Sequence, residues 1–264
     1  MKRAAHEHGV RPRDGAWWRV HQTVLRRWIG DAFRGAPSGY AVKTDLFDEA
    51  SGPYHHASDL PGHLRFIGLD IDRTVAALAD ARIGSEDSSR HCVVGDVRRL
   101  PFPSGSAAAV LSLSTLDHFD APSQIHHALI EIHRLLRPGG AMLLTLDNPR
   151  NLEVALREVL PRSIVRRLRA DRFPIGKTLT SREGTRVLTS VGFEVEGPFY
   201  IDHSVRYPSI RIVHMLEHRA PSWAAWMERL LLGMEKLAAT PLAPITGHYV
   251  AWIASKPRKA PSTG

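Results

Sequence analysis

Cysteine is almost absent from this sequence, since Cys92 is the only one in 264 residues. A single thiol cannot form a disulfide within the chain or a zinc site built from cysteines. Long apolar runs are also missing, because no stretch approaches the roughly 18 residues that a membrane-spanning helix needs. The basic start, Met1-Lys2-Arg3, is not followed by the apolar core of a signal peptide. We therefore expect a cytoplasmic protein in a reducing compartment.

The sequence also lacks a dense run of lysine and arginine. The formal net charge is +8 at pH 7, which permits phosphorylated substrates, nucleic acid or a membrane surface as partners. The nearest approach to a basic run is 162–172, which lies on an amphipathic stretch, so nucleic-acid binding is not supported. His55 and His56 are adjacent in a loop-like stretch where histidines are usually exposed. We expect no metal site.

What the sequence does contain is a regular alternation of apolar runs and helical patterns. Apolar residues make up 43% of the chain, as in ordinary globular proteins. The runs that read as buried strands are 40–44, 65–70, 91–94, 107–114 and 141–148. Such an alternation predicts an α/β fold with a parallel sheet and helices on both of its faces.

Two of these strands end in an aspartate, and the stretch 65–72 is the clearer case. Asp70 follows an apolar run, at the edge where open α/β sheets bind ligands. A carboxylate there can accept hydrogen bonds from both hydroxyls of a ribose. Asp96 repeats the design after 91–95, and with Val97 it could hold the amine and the ring of a purine. The alternatives are that Asp70 or Asp72 caps the next helix and that Asp96 is a turn residue.

The turn after the first strand is acidic and has no G-x-G-x-x-G pattern. Asp45, Asp48 and Glu49 stand where glycines would let backbone N–H groups approach a phosphate. Carboxylates in this place repel a pyrophosphate but attract an ammonium or a sulfonium. The sequence therefore disfavours a dinucleotide and favours a cationic, amino-acid-like ligand.

Four pieces of sequence, taken in order, resemble class I S-adenosylmethionine-dependent methyltransferases. They are 67–72 (IGLDID), 95–102 (GDVRRLPF), 116–119 (LDHF) and 131–140 (EIHRLLRPGG). The resemblance covers about 40–150 and 178–200, with a closing strand near 247–254. It implies a doubly wound, Rossmann-like sheet of seven strands, mostly parallel, whose last strand is antiparallel. It also implies S-adenosyl-L-methionine as cofactor. The first loop departs from the family by its lack of glycine, which indicates a glycine-poor subgroup.

The same resemblance implies roles for individual residues. Asp70 would bind the ribose, Ile71 would flank the adenine, and Asp96 with Val97 would hold its edge. The cofactor-binding residues that we predict are Thr44, Asp45, Asp48, Asp70, Ile71, Asp96, Val97 and Ser114.

The reaction needs an acceptor pocket, and in some cases a base. Asp117 and His118 follow the fourth strand, near where a base would sit; the alternative is that Asp117 caps the next helix and His118 packs at its start. The residues that we expect to line the acceptor pocket are His203, Arg206, Tyr207 and His248.

The expected domain organisation follows from where the alternation is interrupted. We expect an N-terminal helical lid at 1–39, whose helix over 15–33 either packs on the sheet or covers a crevice. A methyltransferase domain at 40–254 would then carry cap insertions at about 151–177 and 205–246, and 255–264 would be a loose tail.

We therefore predict a methyltransferase that acts on the oxygen of a small-molecule or lipid-like acceptor, with peripheral membrane contact as a further option. Three alternatives remain open: a non-enzymatic binding module on the same fold, a methyltransferase acting on RNA or protein, and a nicotinamide-dependent oxidoreductase, which the missing glycine fingerprint disfavours. The sequence does not indicate the oligomeric state.

Overall fold

The computed structural model describes residues 15–52, 54–159 and 176–258. Within them, seven strands form one sheet: β1 (Gly39–Lys43), β2 (Leu64–Asp70), β3 (His91–Val94), β4 (Ala107–Leu113), β5 (Leu136–Asp147), β6 (Glu194–Ile201) and β7 (Tyr249–Ser255). Their order is β3-β2-β1-β4-β5-β7-β6. Strands β1 to β5 pair in parallel, whereas β7 is antiparallel to both β5 and β6. The predicted seven-stranded, mostly parallel sheet is confirmed.

The described helices are α1 (Ala16–Phe33), α2 (Phe47–Ser51), α3 (Arg73–Glu86), α4 (Pro122–Leu135), α5 (Leu152–Val159), α6 (Ser181–Val191), α7 (Arg206–Arg219), α8 (Pro221–Met234) and α9 (Ala243–Thr246). Local sequence sets several of their ends. Asp72 caps α3, because its side chain accepts the N–H groups of Thr74 and Val75. Thr180 and Glu183 form a capping box at the start of α6, which ends at the left-handed Gly192.

Both faces of the sheet are covered, as the alternation predicted. On one face, Ile29 and Phe33 of α1 pack on the small and apolar residues of β4 and β5. On the other face, α4 and α6 bury a larger cluster that includes Met142 and Trp252. The chain order reverses between β1 and β4, so the ligand crevice of this fold opens at the carboxyl ends of these two strands.

Helix α1 does more than cover the sheet. Its C-terminal half packs on the strands, whereas Trp17 and Val20 of its N-terminal half pack on Val213 of α7 and Leu231 of α8. The helix thus joins the sheet to the helices between β6 and β7, which occupy the region expected to hold the second cap insertion.

The C-terminal segment begins in a fixed position rather than as a loose tail. Ser255 still belongs to β7, and Lys256 Nζ donates to the carbonyls of His133 and Leu136, each at 2.8 Å. Residues 259–264, like the basic stretch 162–172, lie outside the described residues. In the part of the chain that the structure describes, no helix is both long and apolar enough to cross a bilayer.

Candidate active site

Asp70 is held rigidly at the end of β2. Its Oδ2 accepts the N–H of Leu46 at 2.9 Å, and its Oδ1 accepts the N–H of Asp72 at 2.8 Å. Burial raises the pKa of Asp70, although these two amides and the Lys43 ammonium act in the opposite direction. Each carboxylate oxygen keeps a second acceptor position. Both oxygens can therefore still accept a hydrogen bond from a ligand, as the predicted ribose role requires.

Apolar side chains stand beside this carboxylate at the same edge of the sheet. Ile71 is 51% exposed, and Val94, which ends β3, is 45% exposed. Val97 differs from its prediction, because its side chain is buried in the main core cluster rather than presented to a ring. Ile71 and Val94 are therefore two exposed aliphatic side chains at the edge that carries Asp70. The sequence analysis did not identify Val94.

Asp96 is paired with Arg98. The arginine donates from Nε to Oδ1 at 3.0 Å and from Nη2 to Oδ2 at 2.6 Å, and its backbone N–H reaches Oδ1 at 2.9 Å. The guanidinium also lies 5.2 Å from the centre of the Phe119 ring. The pairing with Arg98 lowers the pKa of Asp96 despite partial burial. An adenine amine that binds Asp96 must share this carboxylate with Arg98 or displace the arginine.

The glycine-poor first loop is built around a buried ion pair. Lys43 Nζ lies 2.7 Å from Glu49 Oε2, and the two side chains are 3% and 0% exposed. Lys43 also donates to the Asp45 carbonyl, and Glu49 Oε1 accepts the N–H of His56 at 3.1 Å. Burial opposes the charge on Lys43, but the carboxylates of Glu49, Asp45 and Asp48 raise its pKa. Glu49 therefore braces the loop from inside and does not face a ligand.

Of the carboxylates in the first loop, Asp45 is the one that we expect to meet a bound cation. Its Oδ1 accepts the N–H of Phe47 at 3.0 Å. Burial raises the pKa of Asp45 to about 6, with the neighbouring Asp70 and Asp48 adding to the effect and Lys43 opposing it. Asp45 is therefore mostly ionised at neutral pH, and a cation bound beside it would lower its pKa further.

The other two predicted loop residues, Thr44 and Asp48, have different surroundings. Thr44 Oγ1 donates toward Ser112 Oγ at 3.1 Å and Thr115 Oγ1 at 3.2 Å, so it joins the ends of β1 and β4. Asp48 lines a small cleft together with Trp18 and Gln22 of α1. The N-terminal part of α1 thus lies beside the first loop.

Ser114 and Asp117 form the end of β4. Ser114 has a φ of 45°, which is uncommon outside glycine, and its Oγ donates to Asp117 Oδ2 at 2.9 Å. The backbone N–H of Asp147 donates to the same oxygen at 2.7 Å. Asp117 therefore ties the end of β4 to that of β5; α4 begins after Ala121 with no side-chain cap. Its other oxygen, Oδ1, is buried without a hydrogen-bond partner among the described residues. His118 is exposed.

Two of the four predicted acceptor residues come together where β5 ends and β7 begins. The ring nitrogens of His248 lie 3.7 Å from Asp147 Oδ1 and 3.7 Å from Glu153 Oε2. Arg206 Nη1 lies 3.4 Å from His248 Nε2 and donates to the Tyr249 hydroxyl at 2.7 Å. Burial raises the pKa of Tyr249, so its hydroxyl keeps its proton.

The other two residues contribute differently. His203 is buried, with Nδ1 2.8 Å from Thr246 Oγ1 and Nε2 3.0 Å from the Tyr200 carbonyl, so both ring nitrogens are used in bracing the chain. Burial lowers the pKa of His203. Tyr207 is in the first turn of α7, and its side chain lies outside the described residues.

A buried histidine–aspartate pair at this edge, His21 with Asp202, was not identified from the sequence. His21 Nδ1 lies 3.0 Å from Asp202 Oδ2, and both side chains are buried. Ser204 Oγ donates to Asp202 Oδ1 at 2.8 Å and receives the Trp17 indole N–H at 3.2 Å. Although burial alone would raise it, the pKa of Asp202 falls to about 2, chiefly through His21. The His21 ring stacks on that of Trp17, with centroids 5.3 Å apart, and lies 6.0 Å from the Tyr249 ring.

The sequence feature that could have pointed to His21 is its spacing from Trp17. The two residues are four positions apart and therefore share a face of α1. Nothing local in the sequence pointed to Asp202. Among the described residues, no group of three or more histidine, cysteine, aspartate and glutamate side chains could hold a metal ion.

Comparison with known proteins gives one family match and a set of similar folds. Residues 48–144 match a family described as a methyltransferase domain. Similar folds occur in the geranyl diphosphate C-methyltransferase of Streptomyces coelicolor (TM-score 0.56, 16% identity, 89% of this chain and 80% of that one) and in the cyclase SpnF (0.57, 19%, 89% and 80%). A third similar fold is that of phosphoethanolamine N-methyltransferase 2 of Haemonchus contortus (TM-score 0.56, 19% identity). The match covers 89% of this chain but only 52% of that one, about half of its length.

The fold is a doubly wound α/β sheet with Asp70 at the end of β2 and Asp96 shortly after β3. Together with the match of residues 48–144 to a methyltransferase domain, this fold is consistent with a class I S-adenosylmethionine-dependent methyltransferase. S-adenosylmethionine is the cofactor of this class, and the residues predicted to meet its ribose and adenine are Asp70, whose carboxylate is fixed, and Ile71, which is exposed.

Proposed function

We propose that this methyltransferase transfers the methyl group of S-adenosylmethionine to an oxygen of a small-molecule or lipid-like acceptor. The observation that carries the proposal is the His21–Asp202 pair, a buried imidazole held at one nitrogen by a carboxylate. The other nitrogen, His21 Nε2, makes no hydrogen bond to a residue that the structure describes.

Methyl transfer from a sulfonium is an in-line displacement, so the protein must align the reacting atoms and exclude water. A hydroxyl acceptor still carries its proton, and a general base accelerates its attack. Asp202 stays ionised because its pKa is about 2. It can therefore hold the Nδ1 proton of His21 and stabilise the imidazolium that forms when Nε2 takes a proton. His21 is the base that this arrangement supports.

This assignment changes the role predicted for Asp117 and His118. The Asp117 carboxylate holds Ser114 and the Asp147 amide, so we assign it a positioning role at the end of β4. His118 is exposed, and an exposed imidazole does not exclude water from the reaction. We therefore prefer His21 to His118 as base.

The class of acceptor is proposed from the surroundings of this pair. The Arg206 guanidinium lies 5.3 Å from the centre of the Trp17 ring and also contacts His248 and the Tyr249 hydroxyl. Such a mixture suits a ligand with a polar end and an apolar body. Two of the similar proteins are named for geranyl diphosphate and phosphoethanolamine. In this proposal α1 is the lid, 151–177 and 205–246 select the acceptor, and the reaction takes place in the cytoplasm.

The test is to incubate the protein with methyl-labelled S-adenosylmethionine and separated fractions of host extract. Label in a metabolite or lipid fraction, in a product that behaves as an ether or ester, supports the proposal. Label confined to protein or nucleic acid contradicts it. We expect His21→Asn to reduce transfer at least about a hundredfold while cofactor affinity is retained. The exposed His127, changed in His127→Asn, serves as the matched control.

The second candidate is a protein of this fold that does not transfer a methyl group, either a non-enzymatic one or an enzyme of another kind. It is considered because one similar structure is named as a cyclase. In that case the protein would bind S-adenosylmethionine in calorimetry, yet label would reach no fraction.

A further inference from the structure

Two helices between β6 and β7 expose apolar side chains. On α8, Trp223, Trp226 and Leu230 are 60%, 52% and 46% exposed. Their spacing of three and then four residues places them in one stripe along the helix. The two indole rings also contact each other edge to face, with centroids 6.0 Å apart.

Helix α7 carries a similar stripe. Ile212 and Met215 are 42% and 48% exposed, whereas Val213 of α7 and Leu231 of α8 are buried against Trp17 of α1. Both helices thus bury one side against α1, and their exposed stripes lie outside that contact. We call these stripes together the α7–α8 outer face. It consists of Ile212, Met215, Trp223, Trp226 and Leu230.

The charges of these helices are distributed unevenly. The acidic Glu217 and Glu228 lie toward α1, with carboxylate oxygens 3.3 Å and 3.2 Å from Arg19 Nη2. The exposed basic residues of α7, α8 and the turn that follows are Arg211, Arg219, Arg229 and Lys236. On α8, Arg229 is next to Leu230 and three residues after Trp226, so it borders the apolar stripe. The outer face is therefore apolar, and Arg229 places a cation at its border.

The α7–α8 outer face is better suited to contact with a lipid surface than with water. Soluble proteins rarely expose apolar residues in a contiguous group unless the group is used. Indole rings favour the boundary between headgroups and acyl chains, and flanking arginine and lysine are attracted to anionic headgroups. We propose that the α7–α8 outer face docks the protein reversibly on bilayers that contain anionic lipids. The docking does not depend on which molecule is methylated.

The experiment is co-flotation of the full chain with vesicles of phosphatidylcholine alone and with vesicles that also contain phosphatidylglycerol. We expect binding to the anionic vesicles. The double variant Trp223→Ser with Trp226→Ser should weaken it at least about tenfold, because two apolar rings no longer enter the lipid. Arg229→Ala with Lys236→Ala should lose about tenfold on anionic vesicles and little on neutral ones.

The matched control is Leu78→Ser with Ile130→Ser, since these side chains are 47% and 44% exposed on α3 and α4. Equal vesicle binding of the wild type and the tryptophan variant would overturn the proposal, as would no binding of the wild type. A dimer in solution that the tryptophan variant dissociates would also overturn it, because a second copy would then cover the face. Calorimetry with S-adenosylhomocysteine separates these outcomes from loss of the fold or of cofactor binding.

Discussion

Lys43→Met tests whether a buried ion pair replaces glycines in the first loop. The substitution leaves the Glu49 carboxylate, whose side chain is 0% exposed, without its 2.7 Å partner. Removing one member of a buried pair costs about 3–5 kcal/mol. That is a large part of the roughly 5–15 kcal/mol by which a domain is stable. Urea unfolding should therefore show a strongly lowered midpoint for Lys43→Met and for Glu49→Gln.

The double variant separates the ion pair from the packing. Lys43→Met combined with Glu49→Gln removes both charges, so we expect it to be more stable than either single variant, by about 2 kcal/mol. The exposed pair Arg34–Asp31, with side chains 80% and 58% exposed, is the control, and Arg34→Met should cost less than about 1 kcal/mol. If Lys43→Met costs no more than Arg34→Met, the ion pair does not support the loop.

The same variants connect stability to cofactor binding. Lys43 donates to the Asp45 carbonyl, and Leu46 of the same loop donates to Asp70. Loss of the pair should therefore weaken binding of S-adenosylhomocysteine more than that of methylthioadenosine, which lacks the amino-acid end.

The pH dependence of the stability that Lys43 contributes has a definite sign. Because the folded pKa of Lys43 is raised, its contribution to stability is complete below the unfolded pKa of 10.5 and is lost as the pH rises through the folded value.

Two further predictions concern the cofactor site. Arg98→Ala should tighten S-adenosylhomocysteine binding about tenfold in calorimetry, because Asp96 no longer has to be shared with the guanidinium; unchanged or weaker binding would show that Arg98 does not compete. The affinity for S-adenosylhomocysteine should also rise as the pH increases through about 6, where Asp45 ionises, and Asp45→Asn should abolish this rise. Methylthioadenosine is the control for the second experiment, and a parallel pH dependence of its binding would exclude Asp45 as the partner of the cofactor's ammonium group.

The sequence predicts the sheet well, because local patterns determine strands and their ends. The buried run 65–70 ends in Asp70, and the run 91–94 is followed closely by Asp96, so both aspartates are placed at one edge without knowledge of tertiary contacts. The family resemblance supplies the number of strands and the antiparallel β7. These features depend on residues close together in the chain or on a shared fold.

The pairings inside the site could not be predicted in the same way. His21 and Asp202 are 181 residues apart, and no periodicity links a position on α1 to one at the end of β6. Glu49 belongs to an acidic turn by its sequence, and only its burial next to Lys43 shows that it braces the loop. His203 reads as a pocket residue, yet both of its ring nitrogens are used internally. Side-chain partners depend on packing, which patterns of one segment do not contain.

The most direct test of the account is calorimetric titration of S-adenosylhomocysteine into the wild type and Asp70→Asn. The carboxylate of Asp70 accepts charge-assisted hydrogen bonds that are worth about 1.5–3 kcal/mol to a bound ribose. We therefore expect Asp70→Asn to weaken binding about tenfold to a hundredfold, and Asp72→Asn, which changes only the cap of α3, to leave it nearly unchanged. Full affinity in a folded Asp70→Asn variant would contradict the placement of the cofactor at the end of β2.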